Sequence, residues 1–201
     1  MLQFVLTKSQ RYPVDRLALM VIEGGCTWIN VHLPDISDSE IRSLLEPEVL
    51  PMCREYGVIV VADDRPALAT ELGLHGVRLS ASFFAANPGK TPASMRDELG
   101  PEAIIGVECA DASALPALAA ADIDFVTVPA SFDAVRREIF IRAARESGAA
   151  IPVVAQGDFT SGQLPAIIAE GFSGVALSGA IAGSDDPLTA TGAIVDMLYT
   201  D

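Results

Sequence analysis

The stretch V-I-V-V-A-D-D-R-P-A-L-A-T-E-L-G-L-H-G-V-R-L-S, residues 58–80, contains the pattern that decides the fold. It opens with a β-branched apolar run that stops at Asp63 and Asp64. Pro66 suits the first turn of a helix, and either aspartate could cap that helix. A second apolar run follows at residues 76–79. A strand, a short helix and a strand in so few residues predict a βαβ unit with parallel strands.

The same alternation recurs along the whole chain, without a linker or a low-complexity segment. Eight strand–helix units predict an α/β protein, a (β/α)8 TIM barrel in which residues 1–201 form a single domain. An open doubly wound sheet is the alternative, because the pattern alone does not show closure. A loop is expected between the fourth strand and a helix near residue 94. The expected strands cover residues 4–7, 28–33, 58–62, 76–79, 103–109, 125–128, 152–155 and 174–177.

Composition excludes several classes of function. The net charge is −14, so the chain lacks the basic face that nucleic-acid binding needs. No apolar run reaches the roughly 18 residues of a membrane span, and residues 1–8 lack a signal-peptide pattern. The 3 cysteines have no metal-ligand spacing, so we expect small buried thiols in a reducing cytoplasm. The sequence leaves the oligomeric state open.

Alternation of side chains along each strand predicts what fills the barrel. In the second strand, Ile29, Val31 and Leu33 should meet the helices, which turns Asn30 and His32 inward. The same parity on the other strands gives a polar inward set near the carboxyl ends, where barrel enzymes bind their substrates. This inward set is Asn30, His32, Asp63, Arg78, Glu108 and Gln156.

Two interpretations of the inward set remain open. Charged groups around one axis are costly unless paired, so Arg78 could bridge Asp63 and Glu108 in a plug that satisfies itself. Because Arg78 and Glu108 lie on neighbouring strands about 4.8 Å apart, we expect these two to form the central ion pair. Alternatively, the residues line a pocket for a small ligand. The candidate catalytic groups are then Asp63, Glu108 and His32, and the candidate substrate contacts are Asn30, Arg65, Arg78 and Gln156.

An ordered series of short motifs runs through the chain: Ala62-Asp63-Asp64-Arg65, Gly76-Val77-Arg78-Leu79-Ser80, Ile104-Ile105-Gly106-Val107, Ile151-Pro152-Val153-Val154-Ala155 and Gly174-Val175-Ala176. In this order and spacing they resemble the thiamine phosphate synthase and thiazole tautomerase family of barrels, over nearly the whole chain. The resemblance implies a barrel enzyme of thiamine biosynthesis that handles small phosphorylated substrates. The synthase joins a thiazole phosphate to a pyrimidine pyrophosphate, with Mg²⁺ on the departing pyrophosphate.

The resemblance also implies roles for single residues. Asp64 matches a metal-binding aspartate, whereas the second metal position falls near Phe83, which cannot ligate a hard cation. The phosphate-binding positions are Gly157 and the turn at Ser178 and Gly179, whose backbone N–H groups could face an anion. The second glycine of the family's Gly-Gly has become Asp158, and a carboxylate there repels phosphate unless a cation intervenes.

This chain also differs from the family pattern at other positions that carry the family's chemistry. The synthase carries Gln-x-Arg-x-Lys on the second strand, where this chain has Asn30, His32 and Pro34. The Thr-x-Thr-Lys loop after the sixth strand is missing, and the tautomerase histidine falls on Ala110. The sequence therefore predicts a divergent member with an incomplete active site, a transferase of the thiamine-phosphate diphosphorylase type with altered or lost activity. The alternatives are another enzymatic specificity on the same barrel and a non-catalytic small-ligand-binding or partner protein.

Overall fold

A computed structural model describes residues 1–199 and contains a closed barrel of eight parallel strands. The strands pair in chain order, and β1 closes the ring on β8 with Leu2 opposite Val175. Closure confirms the TIM barrel over the open doubly wound sheet. The strands are β1 (Leu2–Leu6), β2 (Trp28–Val31), β3 (Ile59–Asp63), β4 (Gly76–Leu79), β5 (Ile104–Glu108), β6 (Phe125–Val128), β7 (Val153–Gln156) and β8 (Gly174–Leu177).

Helices cover the outside of the barrel, and their buried side chains pack on the outward residues of the strands. None of the helices within residues 1–199 has both the length and the apolar character to cross a membrane. The helices are α1 (Val14–Glu23), α2 (Asp38–Leu45), α3 (Val49–Tyr56), α4 (Pro66–Leu72), α5 (Ala81–Ala86), α6 (Pro92–Leu99), α7 (Leu115–Ala120), α8 (Ala134–Ser147), α9 (Leu164–Glu170), α10 (Gly179–Ala182) and α11 (Pro187–Tyr199); 3₁₀ turns at Ala112–Ala114 and Ser161–Gln163 precede α7 and α9.

The segment after β4 is helical, although a loop is expected there from the sequence. The Ser80 hydroxyl accepts a hydrogen bond from the Phe83 amide at 3.1 Å, which starts α5. The rings of Phe83 and Phe84 pack edge to face, with centroids 5.4 Å apart, and lie partly buried against the core. An N-cap and aromatic burial thus stabilise one and a half turns that the composition does not predict.

The helix after β3 begins without the expected aspartate cap. Arg65 occupies the N-cap position of α4, and no side chain accepts a hydrogen bond there. Pro66 at the start of the helix removes one of the N–H groups that would need a partner. Asp63 and Asp64 are consequently both free for contacts outside α4.

A layer of apolar side chains fills the lower part of the barrel. It consists of Val5, Trp28, Val61, Phe125, Val154 and Ala176. The rings of Trp28 and Phe125 meet edge to face with centroids 5.4 Å apart. Gly106 provides the space for this arrangement, because a Cβ atom at that position would overlap the Phe125 ring. The layer lies beneath the polar residues at the mouth of the barrel.

We predict that Gly106→Ala destabilises the barrel by about 1–3 kcal/mol, the usual cost of overpacking a filled core. Urea unfolding of the variant measures the loss. Gly162→Ala is the matched control and should be nearly neutral, because nothing lies within 4 Å of its added methyl group. Adding Phe125→Leu to Gly106→Ala should recover part of the loss, because the smaller side chain makes room for the new methyl group. If the double variant loses as much unfolding free energy as the two single variants together, the clash is wrongly assigned.

Candidate functional site

Four residues of the predicted inward set meet at the carboxyl ends of β2 to β5. Arg78 donates to both oxygens of Asp63, from Nε at 3.1 Å and from Nη2 at 2.7 Å. The His32 Nδ1 atom lies 3.2 Å from Asp63 Oδ2. Glu108 Oε2 lies 3.9 Å from Arg78 Nη1, and Thr127 accepts from the same Nη1 at 3.3 Å.

Asp63 is therefore the main partner of Arg78, and Glu108 is a more distant one, contrary to the expected central pair. Register explains the difference. Asp63 is directly opposite Arg78 across the β3–β4 pairing, whereas Gly106 occupies that position on β5. Glu108 is two residues further along its strand.

The Arg78 charge is maintained by its acidic neighbours. The side chain is only 4% exposed, and burial alone would lower the pKa of the guanidinium. The Asp63 carboxylate, followed by Glu108 and Asp64, more than offsets this effect, so that the pKa is raised overall. Arg78 consequently remains a cation in a buried position, with its counter-charge supplied by the protein.

Asn30 lies deeper than the mouth and is fully buried. Its amide donates to Gln3 Oε1 at 3.1 Å, and its carbonyl oxygen accepts from Trp28 Nε1 at 2.7 Å. The structure thus places Asn30 in a polar chain beneath the mouth, apart from the residues that gather around Asp63.

Gln156 and His32 share a cavity at the mouth of the barrel. The cavity has a volume of about 200 Å³ and is also lined by Thr7, Asp158 and Ser178. The Gln156 Oε1 atom is buried without a hydrogen-bond partner among the described residues. A second cavity of about 190 Å³ is also lined by His32, together with Lys8. Each volume suits a ring-sized ligand or part of one.

A larger groove of about 600 Å³ lies on the helical shell, between the 3₁₀ turn at Ala112–Ala114 and α8. None of the predicted site residues lines it. The chemistry-bearing side chains therefore lie outside this groove, and the candidate site is at the mouth of the barrel.

Asp64 points away from Asp63, towards the start of α5. Its backbone has a φ of 57°, in the left-handed region, where aspartate and asparagine are tolerated better than most residues. One carboxylate oxygen accepts from the Ser80 amide and the other from the Ser80 hydroxyl, both at 2.7 Å. Asp64 thus joins the end of β3 to the start of α5.

Arg65 is engaged with the loop between β2 and α2. Its Nη2 atom donates to the carbonyl oxygens of Leu33, Pro34 and Ile36, and its Nη1 atom pairs with Asp38. Such multiple carbonyl contacts are typical of an arginine that holds a loop in place, and they leave little of the guanidinium for a ligand.

The predicted phosphate-binding residues lie together at the ends of β7 and β8. The Gly157 amide donates to Ala176 O at 3.2 Å, and the Ser178 hydroxyl bonds the Thr7 hydroxyl at 2.9 Å. The Gly179 amide donates to Asp158 Oδ1 at 3.2 Å. The Asp158 carboxylate thus occupies the Gly179 amide, which the sequence predicts to face a phosphate.

The residues present do not fit a Mg²⁺ site on their own. Residues 1–199 contain no group of three or more His, Cys, Asp or Glu placed to hold a metal ion. Asp64 has both oxygens bonded to Ser80, and Phe83 on α5 offers no oxygen ligand. Mg²⁺ requires oxygen ligands in near-octahedral geometry.

The sequence profile described as thiamine monophosphate synthase matches residues 2–181. The chain belongs to this family. A thiamine-phosphate synthase of Bacteroides thetaiotaomicron is 28% identical over 98% of this chain and 96% of its own length. The bifunctional thiamine biosynthesis protein ThiM/ThiE of Symbiobacterium thermophilum is 32% identical over 88% of this chain and 37% of its own length.

Solved structures agree on the fold. Thiamine phosphate pyrophosphorylase from Pyrococcus furiosus superposes with a TM-score of 0.78 at 24% identity, covering 98% of this chain and 96% of that one. Membership in the thiamine monophosphate synthase family therefore rests on the sequence profile, and the superposition supports the barrel.

Two residues of this family member's mouth were missed by the sequence reasoning. Thr127 contacts Arg78, and Thr7 lines the same cavity as His32. Strand parity carries the signal for both, because Thr127 shares a face with Phe125, and Thr7 shares one with Val5. Neutral hydroxyls attract less notice in a sequence than buried charges do.

We predict that Asp63→Ala lowers the free energy of unfolding by about 3–5 kcal/mol, because Arg78 loses its main counter-charge while remaining buried. Glu108→Ala should cost clearly less, since the Glu108 side chain is 24% exposed and makes only the long contact. Urea unfolding compares the two variants. Asp63→Leu combined with Arg78→Met should cost less than Asp63→Ala alone, and equal losses for Asp63→Ala and Glu108→Ala would contradict the assignment.

Proposed function

We propose that this barrel acts in thiamine biosynthesis on a single small heterocyclic substrate, a thiazole or a pyrimidine, held at the mouth beside His32. On this proposal it does not join a thiazole phosphate to a pyrimidine pyrophosphate. The observation that carries the proposal is that Arg78, Arg65 and the Gly179 amide already have partners within the chain. Family membership indicates the pathway. The contacts already made by the charged groups at the mouth indicate a change in substrate.

Charge is the first support for the proposal. The synthase reaction brings a pyrophosphate and a phosphate to one site, and enzymes stabilise such groups with arginine, lysine or Mg²⁺. In this chain Arg78 is paired with Asp63, and Arg65 is held by carbonyl groups and Asp38. Lys8 is exposed beside the second cavity, and its single positive charge offsets only part of the negative charge of Asp158 and Glu108.

The phosphate side of the mouth is the second support. The Asp158 carboxylate already accepts from the Gly179 amide and lines the cavity beside His32. An incoming phosphate would displace this contact and meet like charge, which favours a ligand without a phosphate. Gln156 instead offers a buried oxygen without a partner among residues 1–199. A ring nitrogen that carries hydrogen could satisfy it.

A non-catalytic ligand-binding or partner protein is the second candidate. It is favoured by the extent to which Asp63, Arg78 and Thr127 satisfy one another's charges and hydrogen bonds.

For both candidate functions a cytoplasmic protein is expected, because Cys26, Cys53 and Cys109 are free and buried, as suits a reducing compartment. Burial raises the pKa of Cys26 to about 11, which makes this thiol unreactive.

Binding and turnover test the proposal together. Calorimetry should detect binding of the thiazole or the pyrimidine alcohol more strongly than binding of the corresponding phosphate or pyrophosphate. Incubation with both phosphorylated substrates and Mg²⁺ should give no joined product by mass spectrometry. Joined product that disappears on chelation and in Asp64→Asn would contradict the proposal, because it would show a working metal-dependent synthase. Binding with no conversion of either ring compound would favour the second candidate.

We predict that Asp158→Gly raises affinity for the thiazole phosphate by about tenfold or more. The change frees the Gly179 amide, and hydrogen bonds to charged groups are worth about 1.5–3 kcal/mol. Asp158→Asn is the matched control, because it removes the charge but keeps an oxygen that can accept from Gly179. Asp35→Asn removes a charge elsewhere at the mouth. Equal gains in all three variants would show a general charge effect and would contradict a local one.

A further inference from the structure

The groove of about 600 Å³ on the helical shell lies apart from the mouth, and one face of α8 borders it. Four of the α8 residues that line it follow one another at intervals of three, four and three positions: Arg136, Ile139, Ala143 and Glu146. Such intervals keep side chains on one face of a helix and are typical of the seam between two packed helices. At a rise of about 1.5 Å per residue this seam, here called the α8 stripe, is about 15 Å long.

The middle of the α8 stripe exposes aliphatic surface. Ile139 is 50% exposed, and Val135, one turn before it, is 64% exposed. They are the most exposed of the large aliphatic side chains within residues 1–199. The aromatic rings of Phe132 and Phe140, with centroids 6.2 Å apart, line the groove beside them. Neighbouring exposed aliphatic residues at an apolar groove indicate a contact surface for another molecule.

The two ends of the α8 stripe carry opposite charges. The Arg136 guanidinium lies over the Phe132 ring, 4.7 Å from its centroid, and has neither an ion pair nor a hydrogen bond in the described part of the chain. The Glu146 carboxylate likewise has neither among residues 1–199. Both charges lie five residues from the midpoint of the stripe at position 141, and Ile139 and Ala143 both lie two residues from it. The stripe is therefore complementary to a second copy of itself that runs in the opposite direction.

We propose that the α8 stripe binds the same stripe of a second copy of this chain, in an antiparallel pair about a two-fold axis. In this pair Arg136 faces the partner's Glu146, and Ile139 faces the partner's Ala143. Each contact occurs twice, because a two-fold interface uses the same surface of both copies. A large side chain opposite a small one allows two helices to interdigitate closely. The ion pairs fix the register, and the exposed Ile139 of each copy is removed from water.

Charge also favours α8 as the face at which two copies meet. Each chain has a net charge of −14, so two copies repel one another at long range. The α8 sequence has 4 arginines against 2 glutamates, and no other helix within residues 1–199 has a net positive charge. This surplus reduces the negative potential at the face where two copies approach. It would also attract an unrelated acidic protein, whereas a second copy accounts in addition for the mirrored positions along the α8 stripe.

One pair of helices is at the low end of stable interface sizes, so we expect a dimer that dissociates at about 1–100 μM. None of the mouth residues lines the groove, and the dimer therefore neither needs nor tests the proposed function. Sedimentation velocity across that concentration range should show a reversible monomer–dimer equilibrium. A monomer at every concentration would overturn the proposal and leave the groove to a different molecule.

Ile139→Lys tests the apolar centre of the contact. It should raise the dissociation constant by about a hundredfold, because two unpaired ammonium groups would enter the seam. Tyr56→Lys is the matched control, since Tyr56 on α3 is 58% exposed and the change adds the same charge away from α8. The control should leave the dissociation constant unchanged. Equal weakening by both variants, or by neither, would place the contact elsewhere and overturn the proposal.

Charge reversal tests the ion pairs. Arg136→Glu and Glu146→Arg should each weaken the dimer by about tenfold or more, since each creates two like-charge contacts. Combining the two changes should restore the dissociation constant to within about threefold, because the pairs form again with exchanged signs. Arg54→Glu and Glu138→Arg make the same changes in net charge outside the stripe and should have little effect. A combined variant as weak as the single ones would overturn the pairing, whereas recovery excludes misfolding as the cause of the losses.

Crosslinking tests the antiparallel register. Ile139→Cys and Ala143→Cys, made as separate variants, place new thiols on the stripe, and the 3 native cysteines are buried. A mixture of the two should form disulfide-linked dimers faster than either variant alone, because only opposed residues reach disulfide distance. Mass spectrometry of the linked peptides should show position 139 joined to position 143. Preferential linkage of position 139 to itself would show a parallel or shifted pair and would overturn the proposal.

Discussion

The buried guanidinium of Arg78 is the constraint on which the mouth of the barrel depends. A cation removed from water must have a counter-charge nearby, or the fold would lose several kcal/mol (about 3–5 for a broken buried pair). The β3–β4 register supplies Asp63 directly opposite Arg78, and the two side chains make a two-pronged contact. With its position fixed in this way, Asp63 has one oxygen 3.2 Å from His32 Nδ1. One pairing thus stabilises the interior and holds a carboxylate beside the exposed imidazole.

This pairing also limits what the mouth can recognise. An arginine that is saturated by its own protein contributes little attraction to an external anion, because its field is neutralised at short range. Arg65 is similarly occupied, by the loop that it holds, and Asp158 occupies the amide of Gly179. The mouth therefore offers an imidazole, hydroxyls and carboxylates to a ligand. On the proposed function, such a lining suits hydrogen-bond donors better than phosphates.

The sequence predicts the scaffold well because strand and helix periods are local properties. Gly76–Leu79, Phe125–Val128 and Gly174–Leu177 have the expected bounds, and parity identifies His32, Asp63 and Arg78 as neighbours at the mouth. The choice between two acidic partners for Arg78 is not local. It depends on the stagger between strands, which favours Asp63 over Glu108. The direction of Asp64 depends on a single backbone angle, and that angle is not encoded in any periodicity.

Three departures from the family motifs are coupled through the register. Asp63 stands where the resembling family reads Asn, Arg78 where it reads His, and His32 where it reads Arg. A carboxylate at position 63 alone, or a guanidinium at position 78 alone, would leave a buried charge without a partner. Together the two charges cancel, and His32 lies beside the Asp63 carboxylate, with Nδ1 3.2 Å from Oδ2. The three changes are thus one rearrangement of the polar interior, in which an imidazole replaces the family's guanidinium on the second strand.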